Sequence, residues 1–309
     1  MVLTTSNKLY LPDCLPHRRQ SLYSSLGIMP QDSRFHLLDV SPSELPATLN
    51  NPFLPCSEPL CRRAATIIAA TVAQNESWSK EIARRGKMFG TLIVRSADNT
   101  PGFLAAYSGN LNNSNNHPYF VPPIFDATPE DGYFRRKEAE ITAINRAIEA
   151  GEGDVEALAA KRAGMSAQLQ QWLFEQYVIT DIAGNRMSLG ELFARCHNEL
   201  ERLRAEERTR EIAARRSRGE YSARQYPRVP LIPPAAAGDC AAPKLLQYAF
   251  ENGYTPLALA EFWLGASNVV AGREAMHFYG ACRGKCYPIL TYMLHLPLDI
   301  EMESGLVEI

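Results

Sequence analysis

The feature that most constrains this chain is the place of its most polar helical stretch. Residues 131 to 226 read as long, charged helices lying between two compact blocks, residues 62 to 130 and 227 to 309. The simplest arrangement is one α/β domain built from both blocks, with the polar stretch as a helical insertion. Residues 1 to 61, rich in Pro, Ser and Leu and without periodicity, read as an extended N-terminal arm packed over that domain.

Inside the first block, RRAATIIAATVAQNESWSKEIARRG spaces Ala64, Ile68, Thr71, Trp78 and Ile82 at helical intervals and stops at Gly86. KMFGTLIVRS and FLAAYSG, joined by ADNTPG, predict a β-hairpin. The loop that follows packs five asparagines into NLNNSNN, then His117 and two aromatics. It is either a set of plain turns or the lining of a pocket.

In the insertion, Ile141, Ile144 and Ile148, then Leu158, Met165, Leu169 and Trp172, predict two antiparallel helices broken at Gly151 to Gly153. VITDIAGNRMS reads as an ordered turn, and Ser188 with Glu191 forms a capping box that opens a third helix. From Arg195 to Arg228 ten arginines face six glutamates, which predicts a solvated helix laced with ion pairs. The competing expectation is an arm that meets RNA phosphates.

The second block predicts a helix over CAAPKLLQYAFENG, a buried strand over TPLALAEFWLG, a loop over SNVVAGREAMHFYGA and a last helix from CRGKCYPILTYMLH. In HFYGACRGKCYPIL, Cys282 and Cys286 straddle Arg283 and Lys285. A metal site, a phosphate grip and a helix start that carries thiols are all open on these residues. The basic groups Lys244, Arg283 and Lys285 lie near predicted helix starts, where backbone N–H groups favour an anion; the alternative is plain surface charge.

Seven cysteines, an odd count, with no secretory leader in MVLTTSNKLYLPDCLPHRRQ, argue against a disulfide framework. Cys14, Cys56, Cys61 and Cys196 carry no companion pattern. No apolar run approaches the ~20 residues of a membrane span, so a cytoplasmic chain without a membrane partner is expected. A net charge of −2 argues against coating nucleic acid through bulk charge.

The element order, with a hairpin, a helix opening at Cys240, a strand, and a helix opening near Cys282 and Cys286, resembles the zinc-dependent cytidine deaminase fold. The resemblance implies a three-layer sandwich and a Zn2+ site of Cys240, Cys282 and Cys286; His277, just upstream, is either a fourth ligand that would close the site or a plain loop histidine. It also implies that Asn110 or Asn112, in YSGNLNN, contacts a nucleoside. Two departures count against deamination. The family's glutamate, two residues after the first ligand, is replaced by Ala242, and the cysteine pair is spaced by three residues rather than two. An active version would need an unconventional acid, with Asp239 and Glu261 as candidates.

GKMFGTLIVRS, FLAAYSGNL, NHPYFVPPIFD, LFEQY, PPAAAGDCAAPKLLQYAFENG, PLALAEFWLGAS and HFYGACRGKCYPIL also resemble the N-terminal extension of large bacterial RluA-family pseudouridine synthases. That resemblance implies an accessory module for RNA modification, with ribosomal RNA and a fused or separate synthase catalytic domain as partners. It brings no active site, because no Arg-Leu-Asp occurs in this sequence. The expectation is therefore a deaminase-like module that binds RNA or a base at Lys244, Arg283, Lys285, Asn110, Asn112 and His117, without deaminase chemistry. The alternatives are a zinc deaminase with an unconventional acid and a scaffold whose thiols only pack.

Overall fold

The computed structural model describes residues 8–9, 32–217, 221–268 and 272–298; Cys14, much of the expected N-terminal arm and residues 299–309 lie outside them. In chain order the elements are β1 (Lys8–Leu9), β2 (His36–Leu37), β3 (Leu49–Asn50), α1 (Pro59–Gln74), α2 (Glu76–Arg85), β4 (Lys87–Arg95) and β5 (Pro101–Tyr107). There follow α3 (Tyr133–Ala150), α4 (Val155–Gln176), β6 (Val178–Thr180), β7 (Arg186–Ser188) and α5 (Leu189–Arg216). The chain closes with α6 (Ala241–Glu251), β8 (Thr255–Leu264), β9 (Phe278–Tyr279) and α7 (Cys286–Met293).

The central sheet is antiparallel throughout, in the order β2-β5-β4-β8-β9. β4 is buried on both faces, which is why it reads as an unbroken apolar run. Phe89 and Ile93 face α1, while Leu92 and Val94 face the α6 side. β4 keeps strict alternation; the register shift opposite Ile93 and Val94 falls on β8, where adjacent Leu257 and Ala258 both join the α1 side. On β8, Ala258, Ala260, Phe262 and Leu264 join the α1 side, and Leu259 joins the α6 side. Strand periodicity thus sends Glu261 to the α6 side as well.

Gly90 sets how close α6 comes to the sheet. It pairs with Glu261 on β8, and a Cβ built on it would lie 2.8 Å from Ala241 Cβ and 3.0 Å from Leu245 Cδ1. The start of α6 therefore rests directly on a bare backbone position opposite Glu261. Gly90→Val should push that helix end off the sheet and cost about 1–3 kcal/mol of stability by overpacking. Urea unfolding of the variant checks this; an unchanged midpoint would show that α6 does not rest there.

Several expectations need correcting. The helix predicted from Ala64 to Gly86 is two helices, because Asn75 leaves helical geometry and its side chain accepts from Trp78 N at 3.1 Å, capping α2. The arm does not end at residue 61: α1 already begins at Pro59, β2 is an edge strand of the main sheet, and Leu49 and Phe53 lie in the core. The turn over VITDIAGNRMS is a small hairpin, β6–β7, and the loop after β8 contains β9.

The stretch 131–226 is also less separate than its polarity implies. Its first two helices form the expected hairpin, closed by Gly151 in left-handed geometry at φ 67°. The capping box at Ser188 is present, with Glu191 N donating to Ser188 Oγ and Ser188 N donating to Glu191 Oε2. Yet Leu189, Leu192, Phe193, Cys196 and Leu200 of α5 are buried in the core that also holds α6 and α7. Only the later part of α5 matches the solvated helix. There Arg202 pairs with Glu199 and Glu206, Arg204 with Glu201, Arg210 with Glu207, and Arg215 with Glu211.

Candidate metal centre

Cys240 is the N-cap residue of α6 and Cys286 the first residue of α7, so the packing of these helices on the same side of the sheet brings the two thiols together. Cys282 lies in the turn before α7 rather than on its first turn, which corrects the helical placement expected for the pair. The three sulfurs lie within 4.8 Å of one another. Cys240 Sγ and Cys282 Sγ are 3.9 Å apart, and Cys282 Sγ and Cys286 Sγ 3.4 Å. Three cysteines are thus close enough to bind one metal ion. Tetrahedral thiolates at about 2.3 Å from zinc stand roughly 3.8 Å apart, so the spacing suits that ion.

The thiols share protons unequally. Cys282 is held well below the ordinary thiol range, first by its contact with Cys240 and then by Cys286, with further help against burial from the backbone N–H groups of Lys285 and Cys286. Cys240 is pushed up chiefly by its contact with Cys282, and Cys286 chiefly by its contact with Cys240 and then with Cys282. A cation that takes all three as thiolates must release the remaining protons. Cys286 is buried, whereas Cys240 and Cys282 are partly exposed, so the centre is reached from their side.

Glu261 stands beside this cluster. Its carboxylate, 6% exposed, accepts from Ala242 N at 3.0 Å. Burial pushes its pKa up to about 7; the Ala242 N–H pulls the other way, and Cys282 adds to the rise. Ser108, just past the end of β5, takes the neighbouring donor: Ala241 N donates to its Oγ at 3.2 Å. The next residue, Pro243, has no N–H. The first turn of α6 is therefore satisfied by the chain's own Glu261 and Ser108, and an anion at that helix start, as expected from the sequence, would have to displace them.

Lys244 is likewise not the surface cation expected. It is 2% exposed, its ammonium lies 4.8 Å from the centre of the Tyr107 ring, and burial lowers its pKa to about 8. Asp239 turns away from the thiols, with its Oδ1 accepting from Tyr177 OH at 2.6 Å, while burial raises its carboxyl above the usual range. The carbonyl of Asp239 accepts from Gly109 N at 3.0 Å, which anchors the loop after β5 to the start of α6.

The remaining predicted residues spread outward. Asn110 and Asn112 are exposed on that loop; the Asn110 carbonyl accepts from Lys87 Nζ, and Asn112 N donates to Glu81 at 2.5 Å. His117 braces the same loop through a 2.8 Å contact between Nε2 and the Leu111 carbonyl, with its ring against Trp78. His277 is not a fourth ligand of the cluster: it is exposed, and its ring packs on Tyr279. Arg283 is exposed and Lys285 half-buried in the turn between the two thiols. Sequence reasoning missed Ser108 and Tyr177. A charged residue in the apolar run AAPKLL was the available signal that Lys244 is buried.

No family model, curated protein or solved structure matches this chain.

Proposed function

We propose that this chain is a zinc-binding, deaminase-like module that acts on a nucleobase amine, with Glu261 as its proton-transfer group. The observation that carries this reading is the buried Glu261 carboxylate on the N–H of Ala242, beside three convergent thiols. Ala242 leaves α6 without an acid of its own, and β8 delivers one to the same helix turn from across the sheet. The order of helix, hairpin, Cys240-led helix, strand and Cys286-led helix further supports the likeness to cytidine deaminases. The resemblance of several sequence blocks to pseudouridine synthase extensions supports RNA as the carrier of the base.

When bound, a zinc ion at Cys240, Cys282 and Cys286 supplies Lewis-acid activation of water. Glu261 is a carboxyl whose burial already favours its protonated form in the metal-free chain, and on this reading it serves both halves of the reaction. It accepts a proton as water adds to the amine-bearing carbon, and returns it as the carbon–nitrogen bond breaks and ammonia leaves. Loop 108–112, tied to α6 through Gly109 N and the Asp239 carbonyl, would line the approach on this reading.

The test is metal analysis of the purified chain, followed by incubation with cytidine, adenosine and ribosomal RNA fragments and detection of uridine, inosine or ammonia. One zinc per chain and a product that disappears in Cys240→Ala are expected. Zinc-loaded protein that releases no product from any of these would overturn the catalytic reading.

A second reading has one observation in its favour: the hydrogen bond to Ala242 N lets Glu261 serve simply as the cap of α6. The chain would then be a zinc-stabilised RNA-binding accessory to a pseudouridine synthase. It would bind ribosomal RNA with an affinity that falls as salt rises, and release no deaminated product.

A further inference from the structure

Apart from the thiol centre, the β6–β7 turn, the first half of α5 and the end of α7 line a solvent-open cavity of about 1190 Å3. Leu192 and Leu296, both buried, contribute apolar lining, and Arg186 and Arg195, both exposed, contribute charge. The size suits a small molecule with an apolar body.

The polar groups around it are arranged and, in part, left over. Arg186 and Arg195 line the cavity without a salt bridge or side-chain hydrogen bond to any described residue, in contrast to Arg202, which also lines it and is held by Glu199 and Glu206. Asp181 is buried and accepts from Ala183 N at 3.0 Å and Asn185 N at 2.7 Å, which fixes the hairpin turn. Its other oxygen lies 2.8 Å from His295 Nε2. His295 itself takes a left-handed backbone at φ 52°, a conformation uncommon outside glycine. Its imidazole, 46% exposed, is oriented by the Asp181 contact, and its second ring nitrogen has no hydrogen-bond partner among the described residues. The Tyr292 hydroxyl, on the same lining, is enclosed without a hydrogen-bond partner.

We propose that this cavity binds a small amphiphilic oxyanion, a phosphate or carboxylate carried on an apolar ring or chain, with Arg186 and Arg195 as its donors and His295 as an orienting hydrogen-bond group. Guanidinium groups match the geometry of both oxyanions, and neither arginine has to break an ion pair to bind one, although Arg195 is attracted at longer range by Glu199. The apolar lining explains why the ligand is amphiphilic rather than a bare ion. Glu199 and Asp181, the acids of the lining, are already engaged by Arg202 and by the hairpin with His295. The inference is independent of zinc at the thiol centre.

The experiment is calorimetric titration of the full chain with two oxyanions, adenosine 5′-monophosphate and decanoate, each beside its neutral counterpart, adenosine and decanol. At least one oxyanion is expected to bind ten-fold or more tightly than its counterpart. The double variant Arg186→Gln/Arg195→Gln should lose that preference, whereas Arg215→Gln, at the far end of α5, should change affinity less than two-fold. Which oxyanion binds distinguishes the phosphate source from the carboxylate source. Equal binding of anions and neutral counterparts would overturn the proposal, as would a double variant that binds like the wild-type chain.

Discussion

On the proposed zinc reading, Cys286→Ser is expected to abolish metal binding and to lower the melting temperature by roughly 10 °C. Cys286 is the buried member of the thiol cluster, and it opens a helix whose residues pack almost entirely into the core. An ion held there joins the starts of α6 and α7 and binds the folded chain alone. At free zinc a thousand-fold above its dissociation constant, that linkage adds about 4 kcal/mol. For a domain of this size each kcal/mol moves the transition by about 2–4 °C. Thermal unfolding with and without a chelator is the measurement. The wild-type chain should fall to the variant's transition when chelated, and the variant should not respond. A chelator effect equal in both would remove the cluster from any role in stability.

The second large effect belongs to Glu261→Gln. The amide keeps an oxygen to accept from Ala242 N, so α6 stays in place and zinc content should not change. What is lost is the proposed proton-transfer group, and the proposed deamination should slow by about 10²–10⁴. The metal-free protein offers a check that needs no substrate. Burial raises the Glu261 pKa in the folded state from 4.5 to about 7. A carboxyl raised in this way favours folding while protonated. Its contribution is complete below pH 4.5 and is lost as pH rises through about 7, on the order of 3 kcal/mol in all. Urea unfolding of wild-type and Glu261→Gln protein at pH 5 and pH 7.5 should show that loss in the wild type alone. Parallel pH profiles would mean that the carboxylate is not buried as described.

How much of this was legible depended on the length and regularity of each signal. The hairpin β4–β5, the helix after Cys240 and the strand carrying Glu261 were readable because each is a long run of one periodicity bounded by Gly, Pro or Asn. The capping box at Ser188 was readable because it is local chemistry. The break at Asn75 was not, since the apolar spacing carries across it and only the side-chain bond to Trp78 N reveals a new helix. β9 and β6–β7 are too short to show alternation. Of the centre, the thiols could be grouped only through the resemblance of the element order to cytidine deaminases, and Glu261 drew notice as an acid on the strand between the two thiol-bearing helices. Its bond to Ala242, the role of Ser108 and the burial of Lys244 arise from contacts between distant segments, which local pattern does not encode.

The interrupted core also bears on how the chain folds. β4 must find β8 across the whole helical insertion, with Arg95 pairing with Thr255, and such distant pairing is slow because loop closure precedes any reward from contacts. The three thiols, by contrast, all follow the insertion and lie close together in the sequence. A metal captured by them closes a much shorter loop than the sheet does. The start of α6 can then be fixed against the start of α7 before β4 arrives, so that Gly90 meets a helix end already in position.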